Sequence, residues 1–276
     1  MKKTSFMRSV SAAPHIVWMV MFIVCPLLFV AYFAFTDTTG AFTFDNILGL
    51  WAHTDTFVLS IALSIIATFI CFVIGYPLAY LIASAPKEKQ SLYMLLMMLP
   101  MWTNLLIRTY SMMAMMDDGG LINNILSSLG LGTVHMIGTK GAVILGMVYD
   151  FLPYMVLPIY TVMSKIDPKL LEAARDLGCS PVQVLFRVTF PLSMSGVISG
   201  VTMVFVPSIS TFYISQKLGG GTFELIGDTI ERQFQHESTY HIGAAIALVM
   251  MILILISLAI MNRFSDEENN EGRILP

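Results

Sequence analysis

Long apolar runs constrain this chain more than any other feature. Six stretches are nearly free of charge, at about residues 15–35, 57–83, 91–116, 141–164, 190–214 and 242–262. A helix needs roughly 20 apolar residues to cross about 30 Å of hydrocarbon, and each stretch reaches that length. Backbone polar groups in lipid must be satisfied within the spanning element, which leaves helices or closed barrels. The runs are continuous rather than alternating, so helices are expected. Composition agrees, with 56% hydrophobic and 12% charged residues against about 25% charged in a soluble domain. The expected fold class is an all-α integral membrane protein, with one six-span domain over 1–264 and an acidic, disordered tail at 265–276. Pro77, Pro100, Pro153, Pro158 and Pro207 fall inside spans and are expected to kink them.

Charge placement sets the orientation. One set of flanks holds Lys2, Lys3, Arg8, Lys87, Lys89, Lys165, Lys169, Arg175, Arg187, Arg263 and Arg273. The opposite flanks hold only Lys140, Lys217 and Arg232, with the acids Asp37, Asp45, Asp55, Asp117, Asp118, Glu224, Asp228, Glu231 and Glu237. Both termini and the loops 84–90 and 165–189 are therefore expected in the cytoplasm. Cys25, Cys71 and Cys179 have no metal-ligand spacing and no even pairing, so neither a metal site nor a disulfide framework is expected. The many methionines read as core filling.

The loop 165–191 is rich in helix punctuation. Asp167-Pro168 reads as an N-cap followed by proline at the first helical position. Leu170, Ala174 and Leu177 then recur on one face, and Gly178 supplies a left-handed end. Ser180-Pro181-Val182-Gln183 has capping-box spacing and starts a second helix toward Phe190-Pro191. From the residues alone three readings stay open: a docking element for another protein, an interfacial helix lying in the headgroups, or a solvated connector.

Glu172-Ala173-Ala174, three residues, Gly178, nine residues, Val188, one residue, then Phe190-Pro191 resembles the EAA loop of ABC importer permeases, with Val188 where isoleucine is commoner. A broader resemblance, to PotB-type spermidine/putrescine permeases, runs from the first span to the sixth. It is carried by Tyr76-Pro77-Leu78-Ala79-Tyr80, by Trp102-Thr103-Asn104 with Arg108 and Tyr110, by Glu172 to Gly178, and by Gly219-Gly220 through Ile226-Gly227 to Gln233-Phe234. The resemblance implies a type I importer permease in a bacterial inner or plasma membrane. It implies that Glu172, Ala173, Ala174, Arg175, Asp176, Leu177 and Gly178 couple the chain to an ATPase. Its implied partners are a second, PotC-like permease, two ATP-binding subunits and an extracytoplasmic solute-binding protein. The chain has no Gly-x4-Gly-Lys-Ser/Thr phosphate loop, so ATP and Mg are expected on the partner ATPase, with no cofactor and no nucleic acid on this chain.

Two charges lie within spans, Arg108 and Asp150. Intramembrane charges are costly and default to a functional reading. Counting at 1.5 Å per residue puts both roughly 12–14 Å below the outer surface. Two readings are open: an intramembrane ion pair, or Asp150 receiving a substrate amine. Asn104, Arg108 and Ser111 share one helical face. Trp102, Asn104, Tyr110, Asp150 and Tyr154 are the candidate substrate path, with Tyr149 as a further aromatic; belt or core packing is the competing reading of each aromatic residue. Gly196-x3-Gly200 is expected to allow close helix packing. A stand-alone secondary transporter would show repeats and several midplane ionisable groups, and neither is visible. An intramembrane enzyme would need a His-x3-His or nucleophile–base arrangement, which the five histidines do not form. The residues leave the cargo open between polyamines and another small solute.

Overall fold

The computed structural model describes residues 14–236 and 239–271. Lys2, Lys3, Arg8, Glu237 and Arg273 lie outside the described residues. Those described are helical apart from turns and one antiparallel bridge between Thr36 and Phe42. Among the described residues, four helical runs are long and apolar enough to cross a membrane: Pro14–Ala34, Asp45–Ala83, Lys140–Met163 and Tyr240–Met261. Two bent pairs, Lys87–Trp102 with Leu105–Ser128 and Pro181–Leu192 with Met194–Ser210, bring the number to six if each pair is one span.

In chain order the helices are α1 (Pro14–Ala34), α2 (Thr54–Ala83), α3 (Lys87–Met98), α4 (Leu105–Met116), α5 (Leu121–Ser128) and α6 (Lys140–Met163). They continue with α7 (Pro168–Asp176), α8 (Pro181–Leu192), α9 (Met194–Ser210), α10 (Tyr213–Leu218), α11 (Ile226–Phe234) and α12 (Tyr240–Glu271). Helix α8 contains a π-helical turn at Leu185–Thr189.

The third expected span, 91–116, is not one helix. It breaks at Leu99–Asn104, and the flanking runs meet at 88°. Pro100 opens a 3-10 turn, Thr103 and Asn104 are extended, and the Asn104 side chain caps α4 by accepting from Leu106 N–H at 2.8 Å. Hydropathy runs unbroken through Leu99-Pro100-Met101-Trp102, so the break is silent on that scale. The fifth expected span, 190–214, is also corrected. It bends by 70° at Ser193, and α9 ends at Ser210, where the carbonyls of Ser210 and Thr211 lie against Gly227. A Cβ on Gly227 would fall 2.6 Å from the Thr211 oxygen. Helix assignment passes through Pro77, Pro153, Pro158 and Pro207. The segments 117–140 and 215–241, expected as outward loops, carry α5, most of α10, and α11. Helix α12 runs to Glu271, past the expected start of a disordered tail. Arg263–Glu271 contains no glycine or proline to stop it.

The chain divides into two compact units. The smaller comprises residues 1–55 and 229–253. Its core joins Ala34 to Ala244, Ala245 and Leu248, and Phe33 O lies 3.1 Å from His241 Nδ1. The larger comprises 56–228 and 254–276. Helix α6 is its centre: 56% of its apolar window is buried, against none in α1. Met147, Met155, Val156 and Ile159 are fully enclosed. Glycines bring α9 onto α6, because a Cβ on Gly196 would lie 2.9 Å from Pro158 O and one on Gly200 2.8 Å from Met155 Sδ.

Candidate coupling loop and membrane-embedded site

Two regions hold the residues that sequence reasoning singled out. The first is the α7–α8 loop. Asp167 accepts from Lys169 N–H at 3.0 Å, and Pro168 occupies the first turn without needing a donor. At the other end Gly178 has φ +87°, and its N–H donates to Arg175 O while Cys179 N–H donates to Ala174 O. That pair of bonds is a Schellman closure, which satisfies carbonyls that the helix end would otherwise orphan. Ser180 and Gln183 then bond reciprocally as a capping box and open α8. One helix is thus closed and the next opened within the three residues Gly178 to Ser180.

The loop presents groups without partners. Leu177 is 86% exposed, and Leu170, Val182 and Phe186 are exposed with it. Glu172, Ala173, Arg175, Asp176 and Gly178 are exposed and Ala174 is half-buried. Among the described residues, Glu172, Arg175 and Asp176 form no ion pair within the chain. An apolar patch with unpaired charges around it is the composition of a docking surface.

The second region lies where α4 meets α6. Arg108 Nε stands 2.5 Å from Asp150 Oδ1, with Arg108 11% exposed and Asp150 1%. Arg108 Nη1 also donates to Pro100 O at 3.0 Å, and its guanidinium carbon lies 6.0 Å from the Tyr149 ring centroid. One side chain therefore ties the broken turn to α6. The second Asp150 oxygen has no hydrogen-bond partner among the described residues. Beside the pair is a cavity of about 500 Å³, lined by Thr103, Arg108, Ser111, Met115 and Tyr149 among others.

The other candidate path residues are dispersed. Asn104 points its oxygen at the α4 N-terminus, and Trp102 is 76% exposed at the break. Tyr154 packs its ring 6.3 Å from Phe151. Tyr110 sits with Tyr213 and Lys217 of α10, neither of which was singled out from the sequence. Their spacing is one helical turn, but the expected span 190–214 ends between them, with Tyr213 inside it and Lys217 in the outward segment, so the two do not read as one helix.

The family described as "Binding-protein-dependent transport system inner membrane component" matches residues 75–268. The spermidine/putrescine transport system permease protein PotB of Salmonella typhimurium is 35% identical, over 96% of this chain and 96% of the relative. PotB of Escherichia coli is 36% identical over 90% and 94%. Among solved structures, a bacterial ABC transporter involved in import of the acidic polysaccharide alginate shares the fold. Its TM-score is 0.75 at 18% identity, covering 99% of this chain and 98% of that one.

Proposed function

Because the chain belongs to the family of binding-protein-dependent transport system inner membrane components, we infer that it is the permease subunit of an ATP-driven polyamine importer. The observation that carries the coupling is the α7–α8 loop. Its caps fix a short helix whose apolar face is exposed and whose Glu172, Arg175 and Asp176 form no ion pair among the described residues. That face docks on a separate ATP-binding subunit, which holds ATP and Mg, and closure of two such subunits moves α7. A second permease completes the path, a solute-binding protein delivers cargo from outside, and both termini face the cytoplasm.

The cargo assignment rests on identity with permeases named for spermidine and putrescine across nearly their whole length. The path chemistry is compatible. Trp102, Tyr110 and Tyr154 present exposed rings that can hold ammonium groups. The Arg108–Asp150 pair cancels a cation that would otherwise repel the cargo. Reconstitution of this chain with its neighbouring subunits, followed by uptake of labelled spermidine, tests the reading. ATP-dependent uptake is the expected result. Uptake by the isolated chain, or uptake of another solute in place of polyamines, would overturn it.

A further inference from the structure

Tyr110 of α4 and Tyr213 of α10 meet edge to face, centroids 6.3 Å apart and planes at 78°. Into that corner reaches Lys217, whose ammonium lies 5.2 Å from one centroid and 5.8 Å from the other. Both distances fall within the roughly 6 Å reach of a cation–π contact. Lys217 has no carboxylate within ion-pair distance among the described residues. The aromatic pair is therefore its electrostatic partner.

The corner is held in place from several sides. Ile214 and Leu218, flanking Lys217 on α10, are fully buried against α6 and α2 residues. Ser215 donates to Asp228 at 2.8 Å, and Gly138 N–H donates to Leu218 O at 2.8 Å. The short helix is thus anchored by its neighbours, while Lys217 reaches the two tyrosines on a flexible stem. Rigid rings and a mobile ammonium make a site that can exchange its occupant.

The occupant has a telling shape. A lysine side chain is an ammonium on a flexible four-carbon stem, which is the aminobutyl end of putrescine and spermidine. We propose that Tyr110 and Tyr213 form a substrate-ammonium site on the translocation route, which Lys217 fills in this conformation and a polyamine amine displaces. This deepens the polyamine reading and rests on it. Exchange of one alkylammonium for another changes the cation–π energy little, so the site neither traps cargo nor presents an empty, poorly solvated corner. Conduction needs binding strong enough to enter and weak enough to leave, and a tethered competitor supplies that balance.

The test uses the full complex in nanodiscs, without nucleotide or binding protein, and reads equilibrium binding of tritiated spermidine. Lys217→Gln shortens the stem and removes the charged competitor, and should tighten binding by about two- to tenfold. Tyr110→Leu and Tyr213→Leu should each weaken it by a similar factor. With binding protein and ATP restored, Lys217→Gln should also lower maximal uptake, since release slows. Lys217→Arg, a stronger cation–π donor, should weaken spermidine binding and serves if the glutamine variant does not assemble. Unchanged or weakened binding in Lys217→Gln, or unchanged binding in an assembled Lys217→Arg, overturns the proposal while wild-type uptake leaves the polyamine reading standing. Absence of spermidine uptake by the wild-type complex would bring down both.

Discussion

Removing either member of the Arg108–Asp150 pair should destabilise the protein by unequal amounts. Asp150→Leu leaves a guanidinium in a site where it is 11% exposed, and a guanidinium cannot shed its proton. Loss of one partner of a buried pair costs about 3–5 kcal/mol. The adjoining cavity of about 500 Å³ can admit water to Arg108, which places the loss near 3 kcal/mol at the lower end. Arg108→Leu orphans a carboxylate instead, which can neutralise by taking up a proton, and also loses the charged hydrogen bond to Pro100 O. About 2 kcal/mol is expected. The double variant removes both charges and retains only the lost carbonyl bond, about 1 kcal/mol. Unfolding free energies of the purified chain in bicelles, measured by steric trapping, should therefore give a coupling of roughly 3–4 kcal/mol. Exchanging the residues, Arg108→Asp with Asp150→Arg, should recover part of the loss. Single-variant losses that add to within about 0.5 kcal/mol would refute the idea that the two charges act as a unit.

Three further outcomes are expected. Gly178→Pro removes the N–H that bonds Arg175 O and forbids φ +87°; with Glu172→Lys it should uncouple ATP hydrolysis from uptake at normal membrane expression, and normal coupled transport in both would count against the loop's role. Gly200→Val drives a Cβ toward Met155 Sδ and Met155 O, at 2.8 and 3.0 Å; it should cost about 1–3 kcal/mol in a thermal-shift assay, whereas Gly49→Ala, with nothing within 4 Å, should be near neutral. Asp37 accepts from Thr39 Oγ1 and from the N–H groups of Thr39 and Ala41. The Thr39 hydroxyl foremost, then the Ala41 amide, hold its carboxyl below the usual carboxylate range. The turn should therefore be fully ordered above the ordinary aspartate pKa and loosen as pH falls through the lower folded value. Amide exchange at Thr39 and Ala41 that is insensitive to acid would contradict this.

Local chemistry was written plainly in the chain. Asp167-Pro168, Gly178 and Ser180-x2-Gln183 satisfy backbone groups within a few residues of themselves, so their caps do not depend on distant packing. The apolar runs determined the membrane class for a similar reason, since lipid imposes one backbone solution wherever such a run occurs. At Leu99–Asn104 Pro100 marked a kink, but an 88° break with a new helix start was not legible in that way. Asn104 read as one position on a polar stripe, whereas in the fold its oxygen ends one helix run and begins another.

Long-range pairing belonged to the tertiary structure. Equal depth made an Arg108–Asp150 contact conceivable, but depth does not fix azimuth, and only the packing of α4 on α6 brings Nε to Oδ1. The same holds more strongly for Tyr110, which lies about a hundred residues of chain from Tyr213 and Lys217 and shares no motif with them. Sequence alone determined that this chain spans a membrane and where the two short helices of the α7–α8 loop stop and start. Which cations face which rings was decided by helix rotation, a quantity set by packing around α6 rather than by any local residue preference.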